Sequence, residues 1–187
     1  MNTRSRLNPL LVPDKAIDHS RGPVFAPVTL VEYGDFECPS CAQAHGAMEI
    51  MLAHFGEQLR FVFRHFPLRE AHLHAEMAAE AAEAAAAQGK FWPMHDLLLT
   101  NQQHLKEKHL LAYAVQVGLD LPRYQNEMRD QVYLQRVQEH LHSGRLLNVR
   151  STPAFFVNGR FADVSFGLQH LHEAIDKALP ANLDPRT

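Results

Sequence analysis

Between residues 71 and 143 the sequence carries only helical signals, and strand signals stand on both sides of that block. An alanine-rich run over 71–87 ends at Gly89, and Pro93 suits the first turn of the next helix. Gly118 followed by Asp120, Leu121 and Pro122 marks another stop and a new N-cap. The block reads as four helices, or five if one is split. Before it, the apolar run 28–33 reads as a strand. Cys41, Ala44, Met48, Met51, Leu52 and Phe55 then recur at helical spacing up to Gly56, and 59–66, ended by Pro67, reads as a second strand. Strand, helix, strand in that order implies a parallel crossover pair. After the block, Ala154-Phe155-Phe156-Val157, the turn pair Asn158-Gly159 and 160–164 read as a hairpin. A closing helix over 167–179 carries Leu168, Leu171, Ala174, Ile175 and Ala178 on one stripe. The summed order is β-α-β, a helical block, then β-β-α.

Length and charge set the outer limits. A chain of 187 residues that is 46% apolar suits one domain, or one domain with a large insertion, and can bury a core without staples. Lys and Arg number 18 against 21 Asp and Glu, a net charge of -3, so neither nucleic acid nor an acidic membrane surface is expected as a partner. Residues 1–24, with Pro9, Pro13, Gly22 and Pro23, read as an irregular arm. Arg4, Arg6, Asp14, Lys15, Asp18, His19 and Arg21 break any apolar leader there, and no stretch reaches transmembrane length. The expected location is cytoplasmic.

The only two cysteines stand in Cys38-Pro39-Ser40-Cys41, directly after the first strand. If Pro39 opens a helix, Cys38 sits at its N-terminus, where free N–H groups and the macrodipole favour a thiolate. Cys38 is then the candidate nucleophile, and Cys41, one turn on, is within disulfide reach to resolve a mixed disulfide. With both thiols in one motif there is no structural disulfide framework, so the motif reads as redox chemistry or as half a zinc site. For zinc, thirteen histidines are available, but no two are three or four apart. The pairs His72/His74, His140/His142 and His170/His172 point to different sides of a helix. No metal and no cofactor is expected.

The order of elements, C-P-x-C after the first strand and Thr152-Pro153 before the returning hairpin resemble the thioredoxin fold as used by the DsbA family, in which a helical domain interrupts the thioredoxin domain. The stretches that carry the resemblance are Val31-Glu32-Tyr33-Gly34-Asp35-Phe36-Glu37-Cys38-Pro39-Ser40-Cys41, Phe63-Arg64-His65-Phe66-Pro67-Leu68, Gly89-Lys90-Phe91-Trp92-Pro93-Met94-His95 and Ser151-Thr152-Pro153-Ala154-Phe155-Phe156-Val157-Asn158-Gly159. They are similar to signal-less DsbA-like proteins, some of which are fused to sodium/proton antiporters.

The resemblance implies an α/β thioredoxin fold with an inserted all-helical domain. Its first part is 25–68, the insertion 69–146 and its second part 147–182, with a tail at 183–187. It implies a thiol-disulfide oxidoreductase in which Cys38 attacks and Cys41 resolves. Glu32, six residues before Cys38, would take the Cys41 proton, its pKa raised by burial on a central strand. Thr152 and cis-Pro153 would face the cysteines, with the Thr152 backbone pairing to an extended substrate. His65, near the end of its strand, and Trp92, with Phe91 and Met94, are candidates for the rim and the substrate groove. The expected partners are protein or peptide thiols and disulfides, reset by glutathione or a thioredoxin-type system. Ser40 departs from the best-known DsbA motif, which has histidine there, so Cys38 is expected to be less acidic and the pair more reducing. Three other readings stay open: a non-catalytic redox sensor, a zinc-binding interaction module, and a small-molecule isomerase of the DsbA superfamily.

Overall fold

The computed structural model describes residues 8–165 and 167–180. The start of the expected arm, 1–7, and the expected tail, 183–187, lie outside the described residues. The strands are β1 His19–Arg21, β2 Val28–Gly34, β3 Leu59–His65, β4 Ala154–Val157 and β5 Arg160–Ala162. They form one sheet in the order β1-β3-β2-β4-β5, with β1 antiparallel to β3 and β4 antiparallel to β5. The helices are α1 Pro39–Phe55, α2 Ala75–Ala86, α3 Phe91–Thr100, α4 Glu107–Gln116, α5 Leu121–Arg129, α6 Leu134–Leu146 and α7 Gln169–Ala178.

The chain divides into two compact units. One comprises 8–32, 47–64 and the described residues from 154 onward, and the other 33–46 with 65–153.

The first unit holds most of the sheet. Every residue of β3 and all but Thr29 of β2 are buried, as in strands covered on both faces. The turn between β4 and β5 follows from its two residues: Asn158 has φ 45° and Gly159 φ 78°, the left-handed pair that a two-residue hairpin requires. Asn158 also ties the hairpin to β2. Its Oδ1 accepts from Thr29 N at 2.8 Å, and its own N–H donates to Thr29 O at 2.8 Å. Helix α7 packs on β4 and β5 and buries Leu171 and Ile175 completely.

The arm expected to be irregular holds a short 3-10 turn at Pro9–Leu11 and the edge strand β1. A buried ion pair fixes it there. Arg64 on β3 donates from Nε to Asp18 Oδ1 at 2.7 Å and from Nη2 to Asp18 Oδ2 at 2.8 Å, and Nη1 bonds the carbonyl of Leu10. The side chains are 4% and 0% exposed. No local propensity in 8–21 signals this, because the partner lies more than forty residues downstream.

The second unit is helical around α2. Ala78, Ala81, Ala82, Ala84 and Ala85 are fully buried, and α2 packs against α3, α4, α5 and α6. Alanine favours the helix and lets neighbours approach on every side. Gly89 at φ 72° closes α2, with Lys90 N bonding Ala85 O at 2.8 Å. Asp120 caps α5 by accepting from Arg123 N at 3.0 Å. Five helices form between 75 and 146, because the chain breaks again at 130–133, where Gln131 takes φ 49°. No Gly or Pro marks that break.

Removing one member of the buried pair leaves the other charge stranded in the core. Asp18→Ala and Arg64→Ala are each expected to lower unfolding free energy by about 3–5 kcal/mol in urea denaturation followed by circular dichroism.

Candidate active site

Cys38 is the N-cap of α1. Its carbonyl accepts the first helical bonds, from Cys41 N at 3.0 Å and Ala42 N at 3.3 Å, and Pro39 fills the first helical position at no loss of a donor. The two cysteines are not joined in a disulfide and differ in access: Cys38 is 7% exposed and Cys41 0%. An incoming disulfide can reach only the first.

The Cys38 thiol is lowered from 9.0 to about 5. The hydrogen bond from the Cys41 side chain is the largest cause. Burial opposes it, and Thr152 and the backbone N–H groups of Cys41 and Ser40 add to the lowering. The value lies above the roughly 3.5 of DsbA. Ser40 therefore contributes its backbone to the thiolate, with its side chain exposed. In the thiol form, Cys38 Sγ is 3.3 Å from the Thr152 carbonyl, and the Thr152–Pro153 peptide is cis. The Thr152 side chain is buried.

Side chains from the helical stretch hold the loop before α1. Asp35, 1% exposed, accepts at 2.8 Å from each of three donors: Glu37 N, Leu68 N and His72 Nδ1. Its own N–H points to Cys41 Sγ at 3.4 Å. Glu37 accepts from His74 N at 2.6 Å and pairs with His74 Nδ1 at 2.9 Å. Gln102 donates from Nε2 to Phe36 O at 3.0 Å and to Cys38 O at 2.8 Å. Asp35, Glu37, His72, His74 and Gln102 are absent from the sequence-based site. The tethers to His72 and His74 also explain why α2 starts at Ala75 and not at 71: those residues are drawn into a loop against the motif. Burial opposes protonation of His72, but the Asp35 carboxylate, with smaller contributions from Cys38 and Glu37, raises its pKa above 6.5.

The remaining sequence candidates fall as follows. Glu32 is buried on β2, 3% exposed. His65 is also buried, its Nε2 2.7 Å from Glu83 Oε1 and its ring stacked on His140 at 5.5 Å, with Phe36 at 5.8 Å. It is a bonded interior histidine. Trp92 is half-buried, 5.0 Å from the rings of both Phe91 and His95, and His95 in turn lies 5.6 Å from Phe36.

A C-x-x-C pair opening a helix, a neighbouring cis-proline and a thioredoxin sheet with added helices define the DsbA-type thioredoxin fold. A family profile described as thioredoxin matches residues 15–177, and the chain belongs to that family. It is similar to BdbD from Bacillus subtilis, with a TM-score of 0.78 at 21% identity over 89% of this chain and 95% of that one. A thioredoxin-like oxidoreductase from Silicibacter pomeroyi gives a TM-score of 0.76 at 27% identity, covering 86% and 91%. Among curated proteins it is 47% identical to Na(+)/H(+) antiporter NhaA 1 of Salinispora arenicola over 95% of this chain and 27% of that protein. It is 46% identical to the NhaA antiporter of Herminiimonas arsenicoxydans over 79% and 23%. The chain thus spans about a quarter of the length of these relatives. No helix among the described residues is long and apolar enough to cross a membrane.

The thiolate absorbance of the reduced protein at 240 nm is expected to titrate with a midpoint near 5. The same depression stabilises the reduced fold at pH values above the unfolded thiol pKa of 9.0, and that stabilisation drains away as pH falls through about 5. His72→Asn should move the absorbance midpoint upward, because it removes an imidazolium that interacts with the Cys38 charge.

Proposed function

We propose that the protein is a thiol-disulfide oxidoreductase acting on protein or peptide disulfides. The observation that carries this reading is the asymmetry of the pair: an acidified Cys38 at the helix start beside the Thr152 carbonyl, with Cys41 sealed behind it. The Cys38 thiolate attacks a substrate disulfide, forming a Cys38–substrate bond and expelling one substrate thiolate. Cys41 loses its proton and attacks Cys38 Sγ. This breaks the mixed disulfide, releases the second substrate thiolate and leaves a Cys38–Cys41 disulfide. Two electrons pass to the substrate. Run backwards, the same steps oxidise a dithiol. Glu32, buried on β2, is the proposed acceptor of the Cys41 proton, and the Thr152 backbone the strand-like partner of an extended substrate.

Reset by glutathione or a thioredoxin-type system in the cytoplasm fits a chain whose only two cysteines are the redox pair. The similarity to antiporter sequences supports a redox module that also occurs joined to a transporter.

A Cys41→Ser variant is expected to accumulate mixed disulfides on Cys38, visible on non-reducing gels, and Cys38→Ser almost none. Equal capture by both, or a wild type that fails to speed insulin reduction by dithiothreitol, would overturn the assignment. The potential, measured in glutathione or dithiothreitol buffers, is expected below the about -120 mV of DsbA, toward about -200 to -270 mV. Ser40→His should raise it.

A further inference from the structure

Two histidines and an aspartate converge from distant parts of the chain. His45 stands on α1 one turn after Cys41, and His95 and Asp96 stand on α3. One ring nitrogen of each histidine and one Asp96 oxygen all lie within 4.8 Å of one another. His95 Nδ1 is 2.8 Å from Asp96 Oδ1, and His45 Nε2 is 4.0 Å from the same oxygen. We propose that His45, His95 and Asp96 form a divalent-metal site that takes Zn²⁺ or a chemically similar borderline ion.

The donor set argues for the class of ion. Two neutral imidazoles with one carboxylate suit Zn²⁺, Co²⁺, Ni²⁺ or Cu²⁺, whereas Ca²⁺ and Mg²⁺ want oxygen throughout. Bond lengths of about 2.0–2.2 Å around a tetrahedral Zn²⁺ put donors roughly 3.3–3.6 Å apart, so the cluster needs to close by little more than about 1 Å. Burial supplies both rigidity and an entrance. The His95 side chain is 3% exposed and walled by Phe36 at 5.6 Å, Phe91 at 5.7 Å and Trp92 at 5.0 Å, which fix its ring. Asp96 is 38% and His45 12% exposed, so the ion enters past the carboxylate and keeps a position for water. Binding trades the His95–Asp96 hydrogen bond for two metal bonds and needs the ring lone pairs free. No cysteine takes part, which separates this site from the zinc site that the C-x-x-C motif suggests.

The test uses the full chain with Cys38→Ser and Cys41→Ser, so that thiols cannot bind the ion. Zn²⁺ and Co²⁺ are titrated at pH 7.5 by calorimetry, and Co²⁺ also by quenching of Trp92, the only tryptophan. Expected are one ion per chain, saturable quenching, and affinity weakened by more than about tenfold in His45→Ala and in Asp96→Asn, which keeps the His95 hydrogen-bond acceptor. His142→Ala, an exposed histidine on α6, should bind as the parent does. Absence of saturable binding near one equivalent in the parent, or parental affinity in a folded His45→Ala variant, would overturn the site.

Discussion

The redox loop hangs on one buried carboxylate. Asp35 gathers two backbone N–H groups and the His72 imidazole while its own N–H faces Cys41 Sγ. Each bond to a charged acceptor contributes about 1.5–3 kcal/mol, and a buried carboxylate stripped of such donors would instead carry the full penalty of desolvation. The loop between β2 and α1 is thereby fastened to the turn after β3 and to the residues before α2. Gln102 clamps the same loop by the Phe36 and Cys38 carbonyls. Cys38 can act as a helix N-cap only while that loop keeps its course, so the acidity of the thiol depends on groups that never touch substrate.

Wherever a local rule decides the structure, the sequence was a sufficient guide. Asn158-Gly159 makes its hairpin because both residues accept left-handed φ, Asp120 caps α5 by its own side chain, and Gly89 stops α2. The C-x-x-C at a helix start follows from Pro39 in the same way. What stayed hidden depends on partners far along the chain. Asp18 reads as one of several charges breaking a leader and is in fact half of a buried ion pair with Arg64. His72 and His74 sit in an alanine-rich run and read as helical, until Asp35 and Glu37 take their side chains. His65 reads as a rim residue near a strand end, and bonding to Glu83 makes it interior. Periodicity sees one face of one element at a time. It does not see which polar groups on two elements meet.

Replacing the histidine of the best-known DsbA motif by Ser40 removes a donor beside the nucleophile, yet the thiol still lies near 5. Hydrogen bonds dominate that result: the Cys41 side chain first, then Thr152 and the N–H groups at the helix start. His72 adds a charge from further off. The Cys38 thiolate is in turn one of the charges that raise His72. Disulfide formation erases the Cys38 charge and with it one of the causes that raise His72, so His72 holds its proton less tightly in the oxidised state. Oxidation and proton release are linked through this histidine. The linkage favours the reduced form as pH falls through the His72 titration, without a histidine inside the motif.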